Sequence, residues 1–175
     1  AFPAVRMEHE DSAALAVIAK LLRSLYLHRE IREKGGAYGG FALYNPEDGT
    51  FSLASYRDPH IVETLEVFQG AAGFIRGGTF NDTDVKETVL QVCSEIDKPD
   101  PPGPAARKAF YRKIIHLSDE LREGFKQRLI ALTRREVLAA AERFFGGGLQ
   151  HCSVAVIGSE ESLRAANAKL SEPLE

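Results

Sequence analysis

The sequence predicts an α+β fold, a mostly antiparallel sheet with helices packed on one of its faces. Three observations carry that reading. Residues 37–44 and 50–56 alternate as strands do, and Asn45-Pro46-Glu47-Asp48-Gly49 joins them with a turn proline and an Asp-Gly pair. Several other segments repeat apolar residues at helical spacing and are bounded by capping residues or glycines. The order strand, helix, hairpin, several helices, strand, helix separates the helices from the strands instead of alternating them. The 175 residues suit one domain. A chain of this size buries roughly 70% of its unfolded surface, enough for one substantial core.

The elements follow in order. Phe2 to Met7 reads as a short strand that Pro3 confines to an edge. Asp11 or Ser12 caps a helix whose inner face is Ala14, Ile18, Leu21, Leu22 and Leu25. His28 to Lys34 extends it or forms a second helix, and Gly35 or Gly36 ends it. In the hairpin, alternation places Gly39, Phe41 and Leu43 on one face, with Phe51 and Leu53 continuing it. The opposite, open face is expected to carry Tyr38, Gly40, Ala42 and Tyr44, then Thr50, Ser52, Ala54 and Tyr56. Asp58-Pro59 opens a helix with Ile61, Leu65, Phe68, Ala72 and Ile75 inward, and Gly77-Gly78 stops it. A helix over 83–96 buries Val85, Val89, Val92 and Ile96. The run from Lys98 to Pro104 is a stiff polar loop. Residues 105–116 form a helix with a mixed surface, Ser118 caps the next, and Thr133-Arg134-Arg135-Glu136 is a capping box for a third. That third helix points Val137, Ala141, Phe144 and Phe145 inward and ends at Gly146-Gly147-Gly148. Residues 152–157 alternate as a strand, and 160–170 form a last amphipathic helix.

Composition narrows the function. A formal net charge of −3 with mixed signs lacks the basic footprint of a nucleic-acid binder or an anionic-membrane binder. No apolar run approaches the ~20 residues that span a bilayer. The start, Ala-Phe-Pro-Ala-Val-Arg-Met, is neither a signal nor a transit peptide and has no initiator Met, so the chain is expected to be a fragment of a longer protein. Cys93 and Cys152 have no metal or redox spacing and read as buried free thiols in a reducing compartment.

The chemistry is equally bounded. His9, His28, His60, His116 and His151 show no zinc spacing, and neither H-E-x-x-H nor H-x-x-E-H occurs. Only His151 neighbours a cysteine, and adjacent residues on a strand point apart. No G-x-S-x-G occurs. Gly35, Gly36, Gly39 and Gly40 run from helix to strand, the reverse of a phosphate loop. Two donors remain, Arg32 near the helix end and Tyr38 near the strand start. A solvated charge at a helix C-terminus and an amphipathic sheet residue would account for them. The glycine turn also allows both to face one carbonyl oxygen.

The run Leu27-His28-Arg29-Glu30-Ile31-Arg32-Glu33-Lys34-Gly35-Gly36-Ala37-Tyr38-Gly39-Gly40 strongly resembles the presequence protease group of pitrilysin/insulinase-type zinc metallopeptidases. The likeness extends more loosely over most of the chain, including Tyr56-Arg57-Asp58-Pro59. It implies that residues 1–175 form the last of four related domains, single and non-catalytic. Two halves of such an enzyme close around a chamber, and zinc sits in the first domain on H-x-x-E-H and a distal glutamate. The family's substrate-holding arginine and tyrosine match Arg32 and Tyr38. The resemblance therefore implies no catalytic residue, metal ligand or cofactor in this chain alone, and zinc in the parent. Its partners would be the N-terminal catalytic half of the same polypeptide and an unstructured peptide, without nucleic acid or membrane. Its location would be intracellular, in the bacterial cytoplasm or the mitochondrial or plastid matrix. A catalytically inert assembly domain of the same fold is the alternative. A self-contained enzyme would instead need a deep pocket lined by histidine and carboxylates.

Overall fold

The computed structural model describes residues 1–149, 152–171 and 173–174. Its centre is helix α1 (Ser12–Leu21), where Ala13, Leu15, Val17, Ile18 and Leu21 are buried. The helix continues without a break into a wider helical segment, Leu22–Lys34, of π type. Such i→i+5 winding usually appears as a single-turn bulge, so a run of 13 residues is unusual. Asp11 precedes α1 but makes no side-chain cap. Its buried carboxylate accepts instead from Arg143 Nε at 2.9 Å and from Arg143 Nη2.

The sheet is antiparallel, in the order β1 (Phe2–Pro3), β3 (Thr50–Tyr56), β2 (Gly39–Asn45). β1 is shorter than the expected Phe2–Met7 strand because Pro3 lacks the N–H that a ladder needs. The chain nevertheless follows the hairpin loop, with Ala4 N–H on the Gly49 carbonyl at 2.6 Å and Met7 N–H on the Pro46 carbonyl at 2.8 Å.

The register corrects the expected faces. Ala42 pairs with Leu53 and Tyr44 with Phe51, while Phe41 pairs with Ala54 and Leu43 with Ser52. The face under the helices therefore carries Gly40, Ala42, Tyr44, Phe51 and Leu53. Asn45 is itself a ladder residue, paired with Thr50, so the connection spans 46–49. A one-residue difference in pairing exchanges the faces of one strand relative to the other. Phe51 packs against Phe2 at 5.3 Å and meets Phe145 edge-on at the same separation.

Helices α2 (Val62–Gly77), α3 (Asp82–Asp97), α5 (Asp119–Ala131) and α6 (Arg134–Phe145) close the core from one side of the sheet. Between α3 and α5 lies α4 (Pro102–Ile114), which opens at the Pro101-Pro102 pair and buries no residue. Asn81 and Thr133 form capping boxes at the starts of α3 and α6. Asp58 does not cap α2. Its two oxygens hold His60 N–H at 3.0 Å and Thr64 Oγ1 at 2.7 Å, a turn of its own, and the helix begins at Val62. Gly78 ends α2 at φ +61°.

The expected strand at 152–157 does not form. Ala1 and Ser153 exchange one reciprocal backbone pair, at 2.8 and 2.9 Å, and Val154 and Ile157 stay exposed. A two-residue β1 offers no further rung to bind. Helix α7 (Glu160–Asn167) follows, capped by Ser159. Cys152 is exposed and Cys93 half-buried, so neither is the fully buried thiol expected. His151 lies outside the described residues.

Candidate functional site

The site is a tight reversal from helix to strand. At the end of the π segment, Gly35 N–H reaches the Glu30 carbonyl at 3.2 Å, a spacing of five residues. Gly36 N–H reaches the Arg32 carbonyl at 3.1 Å, and Ala37 N–H the Ile31 carbonyl at 3.1 Å. Gly36, not Gly35, takes the left-handed conformation, at φ +73°. Tyr38 N–H then bonds the Arg57 carbonyl at 3.3 Å, one step ahead of the ladder. On the inner side, Gly40 lies against Ile31 and the Leu27 carbonyl, so the helix rests directly on the strand.

Arg32 and Tyr38 stand at the two ends of this reversal and both are exposed, Tyr38 at 65%. Tyr38 precedes the strand proper, and so escapes the alternation that buries Gly40 and Ala42. No hydrogen bond joins Arg32 to Tyr38 among the described residues. Arg32 Nη1 lies 3.4 Å from His28 Nε2, and His28 Nδ1 lies 3.2 Å from Glu33 Oε1. The Tyr38 ring meets Tyr56 edge-on, with centroids 5.9 Å apart and planes at 88°. The Arg57 guanidinium covers Tyr56 at 5.6 Å, and Arg57 itself has φ +49°. A non-glycine residue in that region is uncommon and is held there by its surroundings.

Sequence reasoning singled out Arg32 and Tyr38 but not the residues around them. His28 and Arg32 are four apart, a visible helical neighbour pair. The contact between His28 and Glu33 depends on the wide winding, and the backbone at Arg57 had no sequence signal.

The surroundings limit the chemistry. Among the described residues, no group of three or more His, Cys, Asp or Glu side chains is placed to hold a metal ion. The residues described here therefore do not fit a zinc centre. Glu30 accepts from Lys34 at 2.8 Å and from Arg29 at 2.8 Å, and these partners, Lys34 first, hold its carboxyl below the usual range. A cleft of about 360 Å³ lies beside the Pro46 turn, where Lys20, Glu95, Arg112 and Phe125 line it. It has two carboxylates, Glu47 and Glu95, and no histidine, and it contains neither Arg32 nor Tyr38. Among the described residues no helix is long and apolar enough to cross a membrane.

Comparison with known proteins places this geometry in context. The family model "PreP C-terminal domain" matches residues 8–156. The mitochondrial presequence protease of Danio rerio is 40% identical over 161 residues, covering 91% of this chain and 15% of that protein. The chain thus spans a small part of its curated relative. Among solved structures, a protease from Helicobacter pylori aligns with a TM-score of 0.64 at 17% identity, covering 82% of this chain and 36% of that one. A peptidase M16 inactive domain from Pseudomonas fluorescens aligns at 0.63 and 18% identity, covering 84% and 36%. These two likenesses concern the fold, an α+β arrangement of antiparallel sheet and helices.

Proposed function

The chain belongs to the PreP C-terminal domain family, and from that premise we propose that it is the substrate-gripping last domain of a zinc peptidase. In this reading residues 1–175 are one non-catalytic domain, and the N-terminal half of the same polypeptide holds the metal. The observation that carries the reading is the exposure of Arg32 and Tyr38 at the two ends of one rigid reversal. A guanidinium offers several N–H donors and a phenol offers one O–H. Both would donate to carbonyl oxygens of an extended peptide and hold it in register. Where charge builds on a carbonyl oxygen, such donors stabilise the transition state more than the ground state. The chain's own part is to bind and orient, and no proton transfer is assigned to it. The printed name of the Danio rerio relative favours a mitochondrial location.

The test uses the full-length protein. Arg32→Ala and Tyr38→Phe should each lower peptide turnover by ~10²–10³-fold, the usual loss for one such donor, with metal content and fold unchanged. The separate chain should cut no peptide. Wild-type turnover in both variants would overturn the reading and leave the inert assembly domain in its place.

A further inference from the structure

Arg32 differs from five other arginines in what holds it. Arg76, Arg122, Arg143 and Arg164 each pair with a carboxylate on their exposed side, and Arg29 pairs with Glu30. Among the described residues Arg32 has no carboxylate within ion-pair distance, and its polar side-chain neighbour is the ring of His28. Arginine can only donate. His28 Nε2 must therefore accept, which puts the ring proton on Nδ1, facing Glu33 Oε1 at 3.2 Å. Glu33, His28 and Arg32 then form one chain of contacts, at hydrogen-bond distance between Arg32 and His28 and at ion-pair distance between His28 and Glu33.

The winding of the helix makes that chain continuous. Residues four apart are neighbours on any helix, so His28 and Arg32 meet. In an α-helix residues five apart lie about 140° apart around the axis and do not meet. Within the π segment His28 and Glu33 are brought into contact. The unusual 13-residue run thus has a local consequence at the one position where the site needs it.

Building on the substrate-gripping reading above, we infer that His28 is a positioning residue for Arg32, with Glu33 fixing the tautomer of its ring. An accepting imidazole nitrogen aims the guanidinium without cancelling its charge. A carboxylate in the same place would aim it equally well and neutralise the charge that a polarised carbonyl needs. Glu33 supplies its anion one residue further back, on the far side of the ring.

The test measures peptide turnover by the full-length protein carrying His28→Ala, His28→Gln, Glu33→Ala, Arg32→Ala and the His28→Ala/Arg32→Ala double substitution. His28→Ala should lower kcat by about two- to fivefold with little change in KM, since the contact is exposed and acts through orientation. His28→Gln keeps an acceptor near the place of Nε2 and should stay within about twofold of wild type by the same arithmetic. Glu33→Ala should show a smaller loss in the same direction, and serves if His28→Ala fails to fold. In the Arg32→Ala background, removing His28 should cost nothing more. Wild-type kcat for His28→Ala alongside a crippled Arg32→Ala overturns the positioning role alone. So does a full, additive loss in the double variant. Wild-type activity of Arg32→Ala overturns the substrate-gripping reading and this inference together.

Discussion

Replacing Gly40 by alanine tests whether the helix is pressed onto the strand as tightly as the geometry requires. A Cβ at this position would lie 3.1 Å from Ile31 Cβ, 3.1 Å from Ile31 Cδ1 and 3.1 Å from the Leu27 carbonyl oxygen. Ile31 is buried and the Leu27 carbonyl is backbone, so neither can swing aside as a surface side chain would. Overpacking of this kind costs about 1–3 kcal/mol. Restricting the unfolded chain offsets about 0.4–1 kcal/mol of it. The net expectation is a loss of about 0.5–2 kcal/mol, or a fall in Tm of roughly 1–8 °C for a domain of this size. Urea and thermal denaturation of the 175-residue chain read this directly. In the full-length protein the helix end that carries Arg32 would also lift from the strand. A displacement approaching 1 Å costs up to ~10²-fold in turnover. An alanine variant as stable as wild type and fully active would refute the claim that this contact sets the site.

Two further expectations concern the core beneath it. Tyr44 donates its hydroxyl to the Val5 carbonyl at 2.7 Å, and burial first, then the charge of Glu8, pushes its phenol well above the ordinary value of 10.0. A group held protonated in the folded state contributes stability that is complete below the unfolded value and is lost as pH rises above it. The urea midpoint should therefore hold up to about pH 9.5 and fall progressively from about pH 10 upward, less steeply in Tyr44→Phe, which should itself cost about 1 kcal/mol at neutral pH. Tyr26, raised chiefly by burial, should leave some slope behind. Phe145→Ala removes a fully buried ring that meets Phe2 at 5.5 Å and Phe51 at 5.3 Å, and should cost about 3–5 kcal/mol by denaturant titration.

Much of the fold was legible because local chemistry decided it. The Ser118 cap, the Thr133–Glu136 box and the Gly78 stop each depend on groups within a few residues, and each stands where the sequence put it. The apolar rhythm of Val85, Val89 and Val92 likewise named their buried face. The misreadings arose where partners are distant or where a residue had two uses. Asp11 and Asp58 have the chemistry of caps, but a remote arginine takes one and a local turn takes the other. Residues 152–157 have a strand's alternation, yet alternation alone cannot supply a partner strand. The hairpin faces turned on whether Asn45 belonged to the loop or to the ladder, a one-residue question with consequences for the whole strand. That Arg32 and Tyr38 flank a reversal was legible because glycines mark it, while the role expected of them came from the resemblance. Their supports were not, since π winding and the conformation of Arg57 come from packing and not from local propensity.

The reversal at Gly36 has a mechanical corollary. Helix end and strand start are stitched together by backbone bonds on both flanks, from Ala37 to Ile31 and from Tyr38 to Arg57. Arg32 is still helical, and Tyr38, one residue ahead of β2, is tied down by its own N–H. Any relative motion between this unit and an opposing body would carry guanidinium and phenol as a fixed pair, like two teeth of one comb. Misalignment would then disengage them in concert, so a docking fault should resemble the double substitution more than either single one.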